Sequence, residues 1–398
     1  MAAYKMLDGN AAAVEAMRMA RVQVISAYPI TPQSSIAEKL SDLVDQGKLD
    51  AKYIRVESEH TAMSAAIGAQ LTGVRAATAT SSVGLLLMAE VLGIASGCRM
   101  PIVMPVVNRA LVSPWSLWCD HQDTMTVRDT GWLQLYCENV QDVYDLVICA
   151  YRAAEDARVQ TPAMVCLDGF FLSHSMQKLS IPEQAEIDGF IGPYTPKNTY
   201  LNPLDPIIIN NLTPSDELTE MRYQQALGFE AAGTVLDETF AEFEKLFGRR
   251  HERVEGYRME DAQYAVVTLG SMSGTAKYVV DKLREEGVKA GALKVVCFRP
   301  FPSDLVKSAL AGVKSAAVVD RTAGLGAQGA PLWTEVSAAM AGHIPVKGYI
   351  AGLGGRDISM YTLENVFRDL IASNDTREPV WIDLKGDPTA IRQVEMNV

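Results

Sequence analysis

The stretch VQVISAYPITPQSS, residues 22–35, joins an apolar run to a loop that carries two prolines. The run VQVISA is typical of a buried strand, and Pro29 and Pro32 end it because proline fixes φ and removes the backbone N–H. Smaller polar residues could make the same turn, so the loop either only ends the strand or is part of a binding site. Because ligands of open parallel sheets bind at the carboxyl ends of the strands, Tyr28 and Thr31 are candidate binding residues.

Short apolar runs alternate with longer helical patterns along the first part of the chain. Strands are predicted at residues 22–27, 53–57, 75–80, 101–107 and 163–168. Helices are predicted at residues 61–73, 83–97 and 140–158. Alternation of this kind predicts an α/β fold with a doubly wound parallel sheet.

A second α/β pattern occupies the last third of the chain. Strands are predicted at residues 264–271, 292–298 and 315–320, with a helix at residues 274–287. Between the two patterns, residues 176–215 are rich in proline and have no sustained period, which is typical of a connector, and a charged helical stretch follows. We therefore predict a first domain at residues 1–175, a connector and helix at 176–260, and a second domain at 261–398.

The composition limits the classes of partner. The net charge of −12 over 398 residues argues against binding to nucleic acid or to an anionic membrane surface. The most apolar stretch, residues 82–97, is too short to span a bilayer and contains Glu90. The N-terminal segment is amphipathic and does not resemble a signal peptide. These features predict a soluble, cytoplasmic protein.

The cysteines and histidines are scattered. The six cysteines are Cys98, Cys119, Cys137, Cys149, Cys166 and Cys297, and no two of them have the C-x-x-C spacing. The absence of this spacing excludes a ferredoxin-type iron–sulfur run and a zinc ribbon on this chain. The five histidines are isolated as well, so no dedicated metal site is expected.

Two charged residues follow predicted strands. Glu59 lies where the strand at residues 53–57 passes into a helix, so its carboxylate is either functional or simply stabilised by the helix dipole. Arg109 follows the strand at residues 101–107, and a guanidinium there can bind a carboxylate in a bidentate manner. The alternative for Arg109 is an ion pair with one of the acidic residues of the chain. The Thr31 hydroxyl could bind a small anion or cap its own loop.

Three further motifs favour structural roles. Asp120, His121 and Asp123 fit no metal-ligand spacing, which favours a hydrogen-bonded loop. The turn at residues 267–276 lacks the G-x-G-x-x-G pattern of a dinucleotide site. The glycine-rich loop at residues 320–329 is predicted to contact the other domain rather than to hold a phosphate.

Several segments together resemble a known family. The segments are YPITPQSS (28–35), ESEHTAMSAAIGA (57–69), NRAL (108–111), RDTGWLQLYCENVQDVYDL (128–146), LDGFFLSHS (167–175), VTLGSMSGTA (267–276) and VVDRTAGLGAQGAPL (318–332). In this order they resemble the α subunit of 2-oxoacid:ferredoxin oxidoreductases, with the pyruvate branch the nearest. The resemblance implies a pyrimidine-binding domain for thiamine diphosphate, followed by a transketolase C-terminal-like domain, each a doubly wound parallel sheet.

The resemblance also implies an activity and site residues. The family decarboxylates a 2-oxoacid oxidatively, here with pyruvate favoured and coenzyme A used, and passes electrons through iron–sulfur clusters to ferredoxin. Glu59 matches the glutamate that hydrogen-bonds N1′ of the cofactor aminopyrimidine. Arg109 and Thr31 match the residues that hold the substrate carboxylate. Tyr28 and Pro29 complete the implied cofactor-binding set, in which Tyr28 forms a wall of the pocket.

The resemblance implies partner subunits too. In this family the diphosphate and its Mg²⁺ are held by a separate β chain, and [4Fe–4S] clusters lie on β and δ chains or fused domains. This chain would therefore be the α subunit of a hetero-oligomer with β and γ/δ-type subunits, with its active site at the α/β interface and no cluster of its own. A transketolase-like enzyme is disfavoured because the diphosphate-binding GDG motif is absent.

The substrate stays open at this point. Relatives that act on oxalate have an arginine where this chain has Thr31, so Thr31 favours a monocarboxylic 2-oxoacid. Val112 and Trp115 add bulk to the loop near Arg109. This bulk keeps a larger or aromatic 2-oxoacid such as phenylglyoxylate as the alternative, and oxalate is a further alternative. An alternative of another class is a non-catalytic assembly subunit.

Overall fold

The computed structural model describes residues 3–197, 199–373 and 379–386. Its strands are β1 (Ala3–Leu7), β2 (Val24–Ala27), β3 (Lys52–Arg55), β4 (Ala76–Ala77), β5 (Val103–Asn108), β6 (Leu133–Tyr136), β7 (Ala163–Asp168), β8 (Gln177–Ile181), β9 (Val254–Tyr257), β10 (Tyr264–Thr268), β11 (Ala290–Val295), β12 (Cys297–Arg299), β13 (Ser315–Asp320), β14 (Val346–Ile350) and β15 (Val380–Trp381). Its helices are α1 (Gly9–Met19), α2 (Ser34–Asp45), α3 (Glu59–Leu71), α4 (Ser82–Leu87), α5 (Ala89–Gly97), α6 (Gln122–Thr126), α7 (Val140–Ala154), α8 (Gln184–Ile191), α9 (Leu218–Phe247), α10 (Met272–Glu285), α11 (Ser303–Leu310), α12 (Pro331–Met340) and α13 (Met360–Ala372), with a 3₁₀ turn at Leu353–Gly355.

Two large sheets form the framework. The first has seven strands in the order β12-β6-β7-β5-β4-β2-β3, all parallel except β12. The second has six strands in the order β15-β14-β13-β10-β11-β9, all parallel except β9. A separate ribbon pairs β1 with β8 in antiparallel fashion. The predicted α/β fold class with two parallel sheets is confirmed, with one antiparallel strand at an edge of each sheet.

The core lies in layers on both faces of each sheet. Along β5, Val103 and Val107 pack on the side of α1, α7 and α9, whereas Met104 and Val106 pack on the opposite side. This alternation follows from the two-residue period of a strand. The layer that holds Met104 also contains Val267 from β10, so the two sheets share one apolar core. A third layer covers the other face of the second sheet beneath α10 and α13.

Three local predictions need correction. The run at residues 292–298 is not one strand: β11 stays in the second sheet, whereas β12 pairs with β6 in the first. The predicted helix at residues 83–97 is interrupted at Met88, whose amide N–H is shared between the carbonyl oxygens of Gly84 and Leu85. The stretch at 176–215 is not a connector throughout, because it contains β8 and α8.

The charged helical stretch predicted at residues 237–258 begins earlier and ends sooner than expected, because the helix ends at Phe247 and Val254–Tyr257 forms β9. It forms α9, a helix of 30 residues. α9 lies against α7, and its buried residues Leu236, Phe240 and Phe243 belong to the core layer of the first sheet. Among the described residues, no helix is both long and apolar enough to cross a membrane.

Candidate active site at the carboxyl edge of the first sheet

The loops that carry the predicted site residues leave the first sheet at one edge. β2 lies between β3 and β4, so the chain moves to one side of β2 with β3 and to the other side with β4. A crevice at such a reversal is the usual ligand site of a doubly wound sheet. The loops after β2, β3, β4 and β5 all open at this edge, because these strands are parallel.

Arg109 lies directly after β5 and is only 5% exposed. Its Nη1 donates to the carbonyl oxygen of Thr31 over 2.8 Å, and its Nε donates to that of Ser116 over 3.3 Å. No described acid forms an ion pair with it, so the ion-pair alternative is not found in this part of the chain. Burial lowers the pKa of Arg109 from its usual value. The guanidinium is thus held by neutral carbonyl groups and forms no ion pair with a described residue, although the nearby Asp123 carboxylate acts against the fall in its pKa.

The loop after β2 brings Thr31 to Arg109 through its backbone. The Asn10 amide donates to the Pro32 carbonyl oxygen over 2.8 Å, which fixes the loop to α1. Thr31, Tyr28 and Pro29 are exposed, with Tyr28 at 37%. The Thr31 hydroxyl makes no hydrogen bond to any residue that the structure describes, so it does not cap its own loop. It remains available to a ligand beside Arg109.

Glu59 is the first residue of α3 and is 6% exposed. Its position in the first turn places the carboxylate where the helix dipole favours a negative charge. The carboxylate nevertheless makes no hydrogen bond or ion pair within the described ranges. A Cβ built on Gly84 would lie 2.5 Å from Glu59 Oε1 and 2.7 Å from Thr80 Oγ1, and that Thr80 hydroxyl is buried without a partner. A bare glycine thus keeps room around a buried carboxylate and an unsatisfied hydroxyl.

These features fit the aminopyrimidine half of thiamine diphosphate, which offers polar ring nitrogens to such groups. Buried polar atoms normally have hydrogen-bond partners, so the free Thr80 hydroxyl and the nearby Glu59 carboxylate leave hydrogen-bonding capacity that a ligand can use. Glu59 and Thr80 would hold the cofactor ring from this side. The roles of Glu59, Arg109, Thr31, Tyr28 and Pro29 in binding remain predictions.

The segment that holds Asp120, His121 and Asp123 is hydrogen-bonded, as predicted, but Asp123 lies in α6 rather than in a loop. Asp120 accepts from the Gln122 amide N–H over 3.0 Å, and Asp123 accepts from the Arg109 amide N–H over 3.0 Å. His121 Nε2 lies 2.7 Å from Asp168 Oδ1 at the end of β7. All three side chains are therefore used inside the protein.

A second polar cluster, which we call the junction, was missed by the sequence analysis. Besides His121, Asp168 contacts Ser271, whose amide N–H and hydroxyl donate over 3.1 and 2.5 Å, and Arg321, whose Nη1 lies 3.7 Å away. Burial would raise the pKa of Asp168, but His121 and Arg321 reverse this and hold it well below its usual range. The junction joins the carboxyl ends of β7 and β13. His121 and the loop at residues 320–329 were noted in the sequence, but their meeting at Asp168 was not predicted.

The junction also places three metal-ligand types together. The side-chain ligand atoms of Cys119, His121 and Asp168 lie within 4.8 Å of one another, and all three residues are buried. The Arg321 cation beside Asp168 already supplies the positive charge that a metal ion would bring. Burial raises the pKa of the Cys119 thiol well above its usual value, which disfavours the thiolate that metals bind.

The structure can be compared with the predictions for two further loops. The glycine-rich loop after β13 contacts α6 in the first part of the chain, as expected: the Thr322 hydroxyl donates to Gln122 Oε1 over 2.7 Å. Val112 and Trp115 are 50% and 76% exposed, and Arg109 is reached instead by the Ser116 carbonyl of the same loop. The packed aromatic residue of the loop is Trp118, whose ring lies 4.6 Å from that of Phe170.

Family models match both parts of the chain. Residues 15–241 match the model described as pyruvate flavodoxin/ferredoxin oxidoreductase, thiamine diphosphate-binding. Residues 262–363 match the core domain II model of pyruvate:ferredoxin oxidoreductase. The predicted cofactor class thus agrees with the family model that covers the candidate site.

Curated relatives match along nearly the whole chain. The pyruvate synthase subunit PorA of Pyrococcus abyssi is 44% identical over 388 residues, which is 96% of this chain and 98% of that protein. PorA of Thermotoga maritima is 45% identical over 92% of this chain and 94% of its own length. The ketoisovalerate oxidoreductase subunit VorA of Pyrococcus horikoshii is 43% identical over 92% of this chain and 93% of its own length.

Solved structures show the same fold. A 2-oxoglutarate:ferredoxin oxidoreductase from Magnetococcus marinus superposes with a TM-score of 0.74 at 20% identity over 92% of this chain, which spans 65% of that longer chain. A split-gene transketolase superposes with a TM-score of 0.54 at 12% identity, covering 92% of this chain and 97% of the other. From the family models and the relatives together, the chain belongs to the pyruvate:ferredoxin oxidoreductase family, within the wider group of 2-oxoacid:ferredoxin oxidoreductases.

Proposed function

We propose that this chain is the α subunit of an enzyme that oxidatively decarboxylates pyruvate with coenzyme A as acyl acceptor and ferredoxin as electron acceptor. One observation carries the proposal: Arg109 and Glu59 are both ionisable and both buried at one edge of one sheet, and neither forms an ion pair with a described residue. Keeping such charges uncompensated is costly in a stable fold. Their retention is explained by a ligand that offers a carboxylate to one and a proton donor to the other.

Bound thiamine diphosphate supplies the carbon nucleophile and the electron sink of this reaction. The carboxylate of Glu59 would hold the proton at N1′ of the aminopyrimidine ring, as a general acid/base group. Gly84 leaves the space that the ring needs beside Glu59 and Thr80. The chain's own contribution here is therefore to hold a proton at a stated atom and to orient the ring.

Arg109 and Thr31 would bind the substrate carboxylate. Nε and Nη1 of Arg109 are engaged by backbone carbonyl oxygens, whereas Nη2 forms no hydrogen bond to a described residue. Nη2 and the Thr31 hydroxyl can therefore donate together to one carboxylate. A single cation at this position suits a monocarboxylic 2-oxoacid such as pyruvate.

The partner subunits follow from the same proposal. We expect a β subunit to hold the diphosphate and its Mg²⁺, and β and δ-type subunits to hold the [4Fe–4S] clusters. The named relatives are themselves subunits, which supports an assembly of this kind. The six cysteines of this chain are free and five are buried, which suits thiols that pack rather than ligate a cluster.

A branched 2-oxoacid is the second candidate substrate. The VorA relative is 43% identical to this chain and the PorA relatives are 43–45% identical, so identity alone does not separate the two substrates. The exposed Val112 and Trp115 lie in the loop that contributes Ser116 to Arg109. This loop is where a larger substrate would be accommodated.

The test is an assay of the purified native complex with coenzyme A and a panel of 2-oxoacids. The panel contains pyruvate, 2-oxobutyrate, 2-oxoisovalerate, phenylglyoxylate and oxalate. We expect the highest kcat/KM with pyruvate. A preference for 2-oxoisovalerate or phenylglyoxylate would assign the larger substrate, and reduction with oxalate alone would refute the assignment of Thr31.

A variant separates catalysis from assembly. We expect Glu59→Gln to assemble normally and to lose about 10²–10⁴-fold in kcat, the usual contribution of a general acid/base group. The matched control is Glu57→Gln, because Glu57 is exposed and accepts a hydrogen bond from the Thr61 hydroxyl at the surface. Full turnover by the Glu59→Gln complex would instead support a non-catalytic assembly subunit.

A further inference from the structure

Asp123 in α6 is fully buried, and both of its carboxylate oxygens accept hydrogen bonds. Oδ2 accepts from the amide N–H groups of Arg109 and Ser82, each over 3.0 Å. Oδ1 accepts from the Asn108 side-chain amide and from the Thr124 N–H, each over 2.8 Å. A carboxylate is the side chain that can accept four such bonds, since its oxygens carry about four acceptor sites.

The two donors to Oδ2 belong to different loops. Arg109 follows β5, whereas Ser82 begins α4 after β4, and the Ser82 hydroxyl donates to the Ala110 carbonyl oxygen over 2.6 Å. Two residues beyond Ser82 is Gly84, whose Cα faces the Glu59 carboxylate. One oxygen atom therefore fixes the backbone of Arg109 relative to the helix start that packs on Glu59.

We propose that Asp123 is a positioning residue that sets the geometry between the substrate-binding Arg109 and the helix start next to Glu59. The inference rests on the proposed function of the same site. Asp123 touches neither substrate nor cofactor. It acts through the two backbone N–H groups that it joins, and a loss of this bridge lets the loops after β4 and β5 move apart.

The chemistry of the site makes the bridge testable by conservative replacement. Asp123→Ala removes all four hydrogen bonds. Asp123→Asn retains one amide oxygen, which can still accept from the N–H groups of Arg109 and Ser82. The new NH₂ group would lose the bond from the Thr124 N–H, but it would face Asn108, whose Oδ1 is buried without a partner and can accept from it after a flip of the amide. The asparagine variant should therefore rescue what the alanine variant loses.

A neighbouring aspartate provides the matched control. Asp120 is 7% exposed and lies in the same segment, and it accepts from the N–H groups of Gln122 and Gly354. It makes no bond to Arg109 or Ser82. Asp120→Ala thus removes a buried carboxylate of similar kind without touching the bridge.

The experiment measures binding of oxamate, an unreactive isostere of pyruvate, to the assembled complex by calorimetry. We expect the Kd of oxamate to rise by about tenfold in Asp123→Ala, and by less than about threefold in Asp123→Asn and Asp120→Ala. Equal effects of Asp123→Ala and Asp120→Ala, or a Kd unchanged in Asp123→Ala, would overturn the positioning role. So would an asparagine variant as weak as the alanine variant.

A double variant distinguishes this inference from the proposed function. Arg109→Ala alone should abolish most oxamate binding, and adding Asp123→Ala should cause no further loss, because Asp123 acts through Arg109. An additive further loss would overturn the inference. If Arg109→Ala binds oxamate normally, the proposed function of Arg109 fails; if only Asp123→Ala binds normally, the inference alone fails.

A milder variant covers the case in which Asp123→Ala does not assemble. Ser82→Ala removes the hydroxyl that donates to Ala110 and leaves the Asp123 carboxylate in place. We expect the Kd of oxamate to rise about threefold, since one further tie between the two loops is lost. An unchanged Kd would count against the inference.

Discussion

Two arginines occupy equivalent places in the two sheets but have different partners for their guanidinium groups. Arg109 follows the last residue of β5, and Arg321 follows the last residue of β13; they are 5% and 2% exposed. Arg109 is held by two backbone carbonyl oxygens. Arg321 faces the carboxylate of Asp168 and lies over the ring of Phe171, with its Cζ 4.6 Å from the ring centroid.

The partner, and not the position, distinguishes Arg109, for which we propose substrate binding, from Arg321. Carbonyl groups orient a guanidinium without cancelling its charge, which leaves it ready for an anionic ligand. Asp168 cancels the charge of Arg321, and burial, which would lower the pKa of Arg321, is outweighed by that carboxylate, so the pKa is raised. Substitutions at the two arginines and at their partners test whether they differ in this way.

The largest expected effect is on the junction. Asp168→Asn leaves Arg321 and His121 buried without their anionic partner, so we expect the free energy of unfolding to fall by about 3–5 kcal/mol. The measurement is denaturant unfolding of the purified chain. The pKa of Asp168 is lowered in the folded state, so its stabilisation is fully present above its unfolded pKa of about 4 and is lost as the pH falls below that value.

An exposed ion pair serves as the control for the junction. Asp237→Asn breaks a pair with Arg253 in which Asp237 is about half exposed, so the loss should be only about 0.2–1 kcal/mol. A loss of that small size in Asp168→Asn would mean that Arg321 is not held by charge, and the contrast with Arg109 would disappear.

The next effect is on substrate binding. We expect Arg109→Ala to raise the KM for the 2-oxoacid about 100-fold, the cost of losing charge-assisted hydrogen bonds to a carboxylate. Its melting temperature should change little, because no described ion pair is lost. Arg321→Ala should show the reverse: a clear loss of stability and, in complexes that still assemble, a near-normal KM. A reversed pattern would exchange the roles of the two arginines.

A smaller effect is expected at the glycine beside Glu59. In Gly84→Ala the new Cβ would lie 2.5 Å from Glu59 Oε1, so the carboxylate must move, and kcat should fall about tenfold through its misplacement. Gly93→Ala in α5 is the control, because its Cβ would meet nothing within 4 Å. That variant should keep full turnover and gain up to about 1 kcal/mol in stability. Equal turnover in both variants would show that the Glu59 carboxylate has no fixed place.

The sequence predicted which side chains lie at the carboxyl edge of the first sheet better than it predicted the junction. Thr31, Glu59 and Arg109 each follow a predicted strand, and parallel strands end at one edge, so their proximity to a common crevice could be inferred. What could not be inferred is that Thr31 meets Arg109 through its carbonyl oxygen rather than through its hydroxyl. Loop backbone geometry is not encoded in a residue-type pattern.

The junction could not be predicted for a different reason. Ser271 and Arg321 reach Asp168 from a different sheet, more than 100 residues away in the sequence, and no local period reports such a contact. β12 was missed for the same cause. The run at residues 292–298 is evenly apolar, so its period predicts a strand but not that its last residues change sheets to pair with β6.

The smallest expected effect concerns Asp320, the residue next to Arg321. Burial raises the pKa of Asp320 to about 7, although the N–H groups of Leu332 and Trp333 donate to it. Between about pH 4 and 7 the folded chain therefore keeps a proton that the unfolded chain has lost, so this group makes stability fall as the pH rises. Asp320→Asn does not titrate. Its melting temperature should therefore gain about 2–4 °C on the wild type when the pH is raised from about 5 to 8.

The control for Asp320→Asn is a substitution of an aspartate whose pKa is lowered rather than raised. A hydrogen bond from the Tyr257 hydroxyl and a smaller contribution from Arg258 lower the pKa of Asp281. The melting temperature of Asp281→Asn should therefore differ from that of the wild type by a constant amount over the same pH range. If Asp320→Asn also kept a constant offset, Asp320 would be ionised throughout. A second carboxylate charge would then stand next to Arg321, and its neutralisation could no longer be assigned to Asp168 alone. A difference in melting temperature that grows with pH would leave Asp168 as the anion that neutralises Arg321. Arg109 would then differ from Arg321 as proposed, because no carboxylate forms an ion pair with it among the described residues.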